Sequence, residues 1–311
     1  MAAGRDPPTG PERYAAIDIG TNSVLLLVAE RRDGRFAAVA ERAEITRLGR
    51  GVDRTGALSA EGMEATLRCL ESYAAEARAL GARQIAAIAT SAARDASNGE
   101  RFLGQARERA GVSVEIISGD EEAELAFAAA AADFGSGPLV VADIGGGSTE
   151  FIYGAGTVQY RRSFDVGSVR LTERFVTAHP VPGPERAAVR AHLRDAFAAL
   201  PPPPSGARLV GIAGTVTTLY AVQHRVDPYD AARVHGRDLH RAELAALAEA
   251  LCGASLEERR RMPGLQPGRA DVICAGALIL EAAMDRLQGS TCTVSDRGVR
   301  WGLIARRFGG A

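Results

Sequence analysis

Apolar residues along this chain come in short runs broken by polar turns, and two of those runs share one layout. Leu139-Val-Val-Ala-Asp143-Ile-Gly145-Gly146-Gly147-Ser148-Thr149-Glu150-Phe-Ile-Tyr153 reads as a buried strand, a glycine turn and a second strand. Tyr14 to Ala29 repeats it around Gly20-Thr21-Asn22-Ser23. Both contain Asp-Ile-Gly-x-x-Ser, so Asp18 and Ser23 match Asp143 and Ser148 at an offset of 125 residues. An echo framed by β-rich runs in both places predicts two similar halves, each opening with a hairpin.

The remaining pattern fills out an α/β chain. Asp33-Gly34 signals a turn into a third strand over Phe36 to Ile45. Met63, Leu67, Leu70, Ala74 and Ala77 recur at helical spacing between a Ser59 cap and a Gly81 stop. Strands follow over Gln84–Ala89 and Val112–Ile117, then a helix with Ser118 and Glu121 in capping-box spacing. Gly135-Ser136-Gly137-Pro138 marks the boundary between halves, and Pro201 to Pro204 ends a helix begun at Pro184. Leu209–Thr218 reads as strand, Gly-Thr turn and helix start. Asp238–Leu251 and Arg269–Leu287 read as helices, Arg259–Gly264 as a basic loop, and Thr291–Gly302 as a closing strand and turn with Trp301 as packing.

Composition narrows the class. The 37 basic and 38 acidic residues nearly cancel, so no net field recruits nucleic acid or an anionic membrane. Residues 1–12 lack the apolar core of a signal peptide and read as a disordered tail, and no apolar run reaches the roughly 18 residues of a membrane span. Four scattered cysteines suggest neither zinc nor disulfides, which fits a cytoplasmic setting. His224, His235 and His240 lack metal-ligand spacing.

The chemistry concentrates in the turns. Successive glycines without Cβ let backbone N–H groups converge on an anion, while Asp143 and Glu150 bracket the turn with oxygens that suit Mg²⁺. Gly214-Thr215 forms a third anion-friendly corner, and Arg94 follows a strand where a helix begins, although an ion pair with Asp95 or Glu100 would also explain it. The helix dipole favours acids at Asp120, Glu121 and Glu122, and the capping box occupies Glu121. The dipole alone would explain Glu122; the alternative is that it points into a cleft and orients a water against a phosphate. No P-loop or dinucleotide fingerprint is present in these turns.

Taken in order over residues 14–302, these segments resemble the exopolyphosphatase and guanosine pentaphosphate phosphohydrolase family, within the actin, Hsp70 and sugar-kinase fold superfamily. The resemblance rests on Ile17-Asp18-Ile-Gly20-Thr-Asn22-Ser23, Ala89-Thr-Ser-Ala-Ala-Arg94-Asp95-Ala, Ile117-Ser118-Gly-Asp-Glu-Glu122-Ala123, Asp143-Ile-Gly-Gly-Gly-Ser148-Thr-Glu150, Gly214-Thr215 and Ser295-Asp296-x-Gly298-x-Arg300. It implies two ribonuclease H-like domains, 13–134 and 138–311, with the active site between them and the final helix packed back on the first. It also implies that Glu122 positions the attacking water. Asp143, Glu150 and, less specifically, Asp18 would hold Mg²⁺ or Mn²⁺, and Asn22, Ser23, Arg94, Gly146, Gly147, Ser148, Gly214 and Thr215 would hold phosphate.

The implied reaction releases terminal orthophosphate from polyphosphate or guanosine pentaphosphate, in a homodimer with no nucleic-acid or membrane partner. Without the C-terminal extension of longer relatives, a short chain is the expected polyphosphate, with Arg259–Arg261 as a possible substitute grip or else a solvated turn. Two other classes stay open: a phosphotransferase using ATP or polyphosphate and ADP, and a non-enzymatic sensor of the same polyanions.

Overall fold

The computed structural model describes residues 11–310. Met1 to Gly10 of the expected tail lie outside the described residues. Glu12 is not tail: it opens the first strand, and its carboxylate accepts a hydrogen bond from Arg83 at 2.5 Å. In chain order the strands are β1 (Glu12–Ile19), β2 (Ser23–Arg32), β3 (Arg35–Ile45), β4 (Ala82–Ala89), β5 (Val114–Ile116), β6 (Pro138–Ile144), β7 (Thr149–Ala155), β8 (Thr157–Phe164), β9 (Arg208–Ile212), β10 (Arg237–His240) and β11 (Thr291–Val294). They form two sheets, ordered β3-β2-β1-β4-β5 and β10-β11-β9-β6-β7-β8.

Each sheet begins with an antiparallel meander and then adds parallel strands through helical crossovers. The echo predicts two similar halves, and the layout made twice is the ribonuclease H-like one that the family resemblance implies, with β10 as an addition at one edge. Local chemistry explains the junctions. Asp33 and Gly34, at φ 48° and 75°, make the left-handed turn between β2 and β3. Ser59 caps the helix Ala60–Ala79 by accepting from the Gly62 amide, and Gly81 ends it at φ 80°.

Apolar side chains are gathered in three layers. One cluster lies on the outer face of the first sheet and one fills the outer side of the second. The third lies between the sheets, where Ala16, Leu27 and Ile88 meet Val141, Ile152 and Val210 through two helices, Gly119–Phe134 and Val299–Phe308. Gly302 makes the crossing of those helices close, because a Cβ there would stand 2.0 Å from the Leu125 carbonyl oxygen. The polar upper rim of this shared layer is where the functional residues gather.

Three expectations need correction. Asp238 belongs to strand β10, since Leu239 pairs with Cys292 and turns its side chain inward; the helix starts only at Arg241. Four residues with a single apolar position are too few to register as a strand period. The apolar run from Arg269 is broken into a short turn, Pro267–Arg269, and a helix, Ile273–Arg286. The break turns Asp271 outward to Arg47 of the first half at 2.9 Å. Arg259 is neither loop nor solvated: it lies in the last turn of a short helix, Leu256–Arg260, and is fully buried, its Nη1 donating to the Ala270 carbonyl at 2.6 Å and to Cys274 Sγ at 2.8 Å. Only Arg260 and Arg261 remain exposed.

Replacing Gly302 by alanine forces a methyl group into the Leu125 backbone and is expected to cost about 1–3 kcal/mol. Urea unfolding should show a lower midpoint at an unchanged m-value. An unchanged midpoint would contradict the close crossing of the two central helices.

Candidate active site

The two glycine turns close with the same hydrogen bond. The Gly20 amide donates to the Ser23 carbonyl at 2.9 Å, and the Gly145 amide donates to the Ser148 carbonyl at 3.0 Å. In the second turn the carbonyls are also held from behind. Gly145 oxygen accepts from the Ser168 amide at 3.0 Å, and Gly146 oxygen from the Val169 amide at 2.8 Å. Because a trans peptide points its C=O and the following N–H in opposite directions, the Gly146 and Gly147 amides are aimed away from that helix. The turn thus presents donors on its free side, as an anion cradle requires.

Strand register gathers the acids. Asp143 and Glu150 are directly opposed on β6 and β7, which puts both side chains on one sheet face, and Ser163 is opposed to Glu150 on β8. Ser163 Oγ donates to Glu150 at 2.7 Å. That face is the one carrying Val141 and Ile152 into the shared layer, so the two carboxylates sit at its rim. Asp18 ends the corresponding row on β1. Glu122 arrives from the first turn of helix Gly119–Phe134, whose N-terminus is fixed by the Ser118–Glu121 capping box. Glu121 is exposed and committed to that cap, whereas Glu122 is buried and its Oε2 has no hydrogen-bond partner.

Crowding four acids in poorly solvated space raises their proton affinity. Burial pushes Asp18 up from 3.8 to about 6, against the pull of the Arg300 guanidinium. Glu122 is held well above the usual carboxylate range by burial first, then by Glu150, Asp143 and Asp18. Burial likewise raises Asp143, with Glu150 and Asp18 adding repulsion. Glu150 is raised less, since bonds from Ser163 and Ser148 oppose its burial. The counter-charge is sparse: Arg94 Nη1 lies 3.7 Å from Glu122 and donates to the Ile117 carbonyl at 3.0 Å.

Across the cleft lies a basic wall. Arg269 is half-buried, donates to Ser23 Oγ at 3.3 Å and lies flat over Gly214, where a Cβ would stand 2.4 Å from its Nη1. No carboxylate lies within salt-bridge distance of it among the described residues, and burial lowers its pKa to about 10. Arg300 is buried between Glu41 and Asp296, with Nε unpartnered. Tyr229, an exposed ring, stands on the same wall with its hydroxyl bonded to Asp296.

The cleft so enclosed has a volume of about 500 Å³ and runs between the two sheets. Asp18, Asn22, Ser23, Glu122, Asp143, Gly146, Ser148, Gly214 and Thr215 line it. Three other expected site residues stand behind that lining. Glu150 is covered by its neighbours, Arg94 reaches in only beside Glu122, and Gly147 faces Thr21 and Ser91, whose hydroxyls are 2.8 Å apart. Arg94 is loosely paired on both sides, 3.9 Å from Asp95 and 3.7 Å from Glu122, and is anchored by its bond to the Ile117 carbonyl.

The chain as a whole has known relatives. A Ppx/GppA phosphatase family profile matches residues 27–309. The chain belongs to that family. It is 38% identical to exopolyphosphatase 2 of Mycobacterium tuberculosis over 284 residues, covering 86% of this chain and 89% of the relative. Among solved structures it resembles the Aquifex aeolicus PPX-GPPA enzyme, with a TM-score of 0.81, 33% identity and coverage of 96% and 100%. An exopolyphosphatase from Cytophaga hutchinsonii gives a TM-score of 0.85 at 25% identity, with coverage of 95% and 97%.

Membership in the Ppx/GppA family brings the fold with it, but the basic wall was not legible beforehand. Arg300 stood in a recognised segment without a role. Arg269 was hidden in what reads as an apolar helix, and only an arginine interrupting that run could have drawn attention. Among the described residues no helix is long and apolar enough to cross a membrane.

The raised pKa of Asp18 has a sign that can be checked. The folded state holds a proton that the unfolded chain releases, so ionisation weakens the fold as pH rises from about 4 through 6. In EDTA, Asp18→Asn should therefore raise unfolding free energy at pH 7.5 by up to about 3 kcal/mol, at about 1.4 kcal/mol per pKa unit. The gain should vanish near pH 4. An equal effect at both pH values would refute the burial argument.

Proposed function

We propose that this protein is an exopolyphosphatase, a hydrolase that releases terminal orthophosphate from inorganic polyphosphate within the cleft. The observation that carries the reading is Glu122. A buried glutamate with an unpartnered oxygen, placed by a helix cap between two phosphate-cradling turns, is suited to hold a water for attack. Its raised proton affinity makes it a stronger base than a solvated glutamate. The relatives named above support the substrate class.

The substrate's terminal phosphate lies against the Gly146 to Ser148 turn, with Asn22 and Ser23 from the first turn and the penultimate phosphates toward Arg269. Glu122 accepts a proton from the water as its oxygen bonds to the terminal phosphorus. The bridging oxygen leaves with the shortened chain, and orthophosphate is freed. Positioning and charge neutralisation supply most of the acceleration, as is general for phosphoryl transfer.

The donor set suits a divalent cation that arrives with substrate. Among the described residues no group of three or more His, Cys, Asp or Glu side chains is gathered as a ready cage. Mg²⁺ commonly takes one or two carboxylates and completes its shell with phosphate oxygens and water. Asp143 and Glu150 would hold Mg²⁺ or Mn²⁺, with Asp18 nearby, and a bound cation would neutralise both the acids and the phosphates.

Guanosine pentaphosphate is a second substrate favoured by one feature. The exposed ring of Tyr229, fixed on the cleft wall by Asp296, offers a face on which a base can stack.

Phosphate release should be followed with Mg²⁺ from short polyphosphate, long polyphosphate, guanosine pentaphosphate and ATP in parallel. Release is expected from short polyphosphate, and Glu122→Gln should lower turnover by about 10²-fold or more while keeping the fold and phosphate binding. Near-normal turnover of Glu122→Gln would sink the assignment of the base. Tight binding without release from any substrate would instead favour a sensor.

A further inference from the structure

We propose that Arg170, outside the cleft lining, is a positioning residue that locks the phosphate turn of the second half to the first half. It lies in helix Ser168–Phe175, directly behind the Gly145–Ser148 turn. Its side chain is 16% exposed, and its guanidinium reaches three separate segments. Nε donates to the Gly147 carbonyl at 2.8 Å, Nη2 to Asp95 at 2.7 Å, and Nη1 to Asp53. Asp53 and Asp95 belong to the first half and Gly147 to the second.

The consequence for the site follows from peptide geometry. With the Gly147 carbonyl drawn toward Arg170, the Ser148 amide must point the opposite way, completing the row begun by the Gly146 and Gly147 amides. The same guanidinium holds Asp95, whose neighbour Arg94 stands 3.7 Å from Glu122. One planar fork therefore fixes the phosphate donors relative to the residue that faces the water. A second tie lies alongside it: the Gly51 amide of the first half donates to Glu173, one turn along the helix, at 2.8 Å.

An ordinary surface ion pair would not have this form. Each carboxylate is about one-third exposed, so the pairs alone stabilise modestly. What matters is the fork geometry, which a lysine cannot supply because its ammonium is a point charge without a planar array of donors. This role rests on the hydrolase reading of the cleft, but the tie itself can be measured without turnover.

The test compares wild type, Arg170→Lys, the double variant Asp53→Asn/Asp95→Asn, and the triple combination. Arg170→Lys should fold with an unchanged circular dichroism spectrum. Its kcat on short polyphosphate should fall about tenfold or more, while KM changes by less than about threefold. The triple variant should be no worse than the more impaired of its parents, because all three residues act through one tie. Millimolar guanidinium should restore part of the turnover of Arg170→Ala. Amide exchange at residues 145–148 and 51–53 should be faster in Arg170→Lys.

Wild-type kcat with unchanged exchange in Arg170→Lys would overturn the proposal, as would additive losses in the triple variant. A wild-type protein that releases no phosphate from any substrate overturns the hydrolase reading instead. Exchange at 145–148 then decides the tie alone: faster in Arg170→Lys supports it, unchanged refutes it.

Discussion

The burial of four carboxylates at one rim is the constraint on which this site depends, with mutual repulsion added at Glu122 and Asp143. Asp18, Glu122, Asp143 and Glu150 end on the rim of one apolar layer, each pushed toward its protonated form, with Arg94 and Arg300 as the nearby opposing charges. Such an arrangement weakens the free protein and persists because strand register and a capped helix hold it in place. In the proposed reaction a cation arriving with the phosphate would bring the missing charge balance. Strain of this kind concentrated in one cleft is what separates a functional site from a structural ion-pair network.

The repeated layout of the two halves accounts for the frame and also for where the likeness stops. Both turns close with the same Gly-to-Ser hydrogen bond, and both follow an aspartate at the end of a central strand. Across the hairpin, however, Asp143 faces Glu150 while Asp18 faces Leu25. The second copy therefore carries a paired-acid pole, and the first carries only donors and a single acid. The shared layer of two helices joins the copies, and Arg170, Arg47 and Arg269 tie their polar edges across the gap.

Much of this was legible from the residues. The Asp-Ile-Gly echo reveals the doubled fold because local hydrogen bonding and strand period are written in neighbouring positions. Glu122 could be separated from Glu121 because a capping box claims only one of them, and the structure buries the other. What escaped detection depends on long-range pairing. Strand β10 exists only because β11 lies beside it, and Arg259 reads as a charged loop residue until helix Ile273–Arg286 closes over it. Arg269 and Arg170 act across the two halves, so neither periodicity nor a nearby motif announces them. Gly147, Arg94 and Glu150 lie beside the cleft but behind its lining, a layering that sequence spacing does not show because it does not fix which side of a turn faces the cleft.

In the proposed reaction, water placed by Glu122 attacks the terminal phosphorus. A single-turnover reaction on short polyphosphate in ¹⁸O-enriched water, read by mass spectrometry, tests that step directly. One solvent oxygen should appear in the released orthophosphate and none in the shortened chain. Label in the chain end, or phosphate leaving with no solvent oxygen, would contradict it.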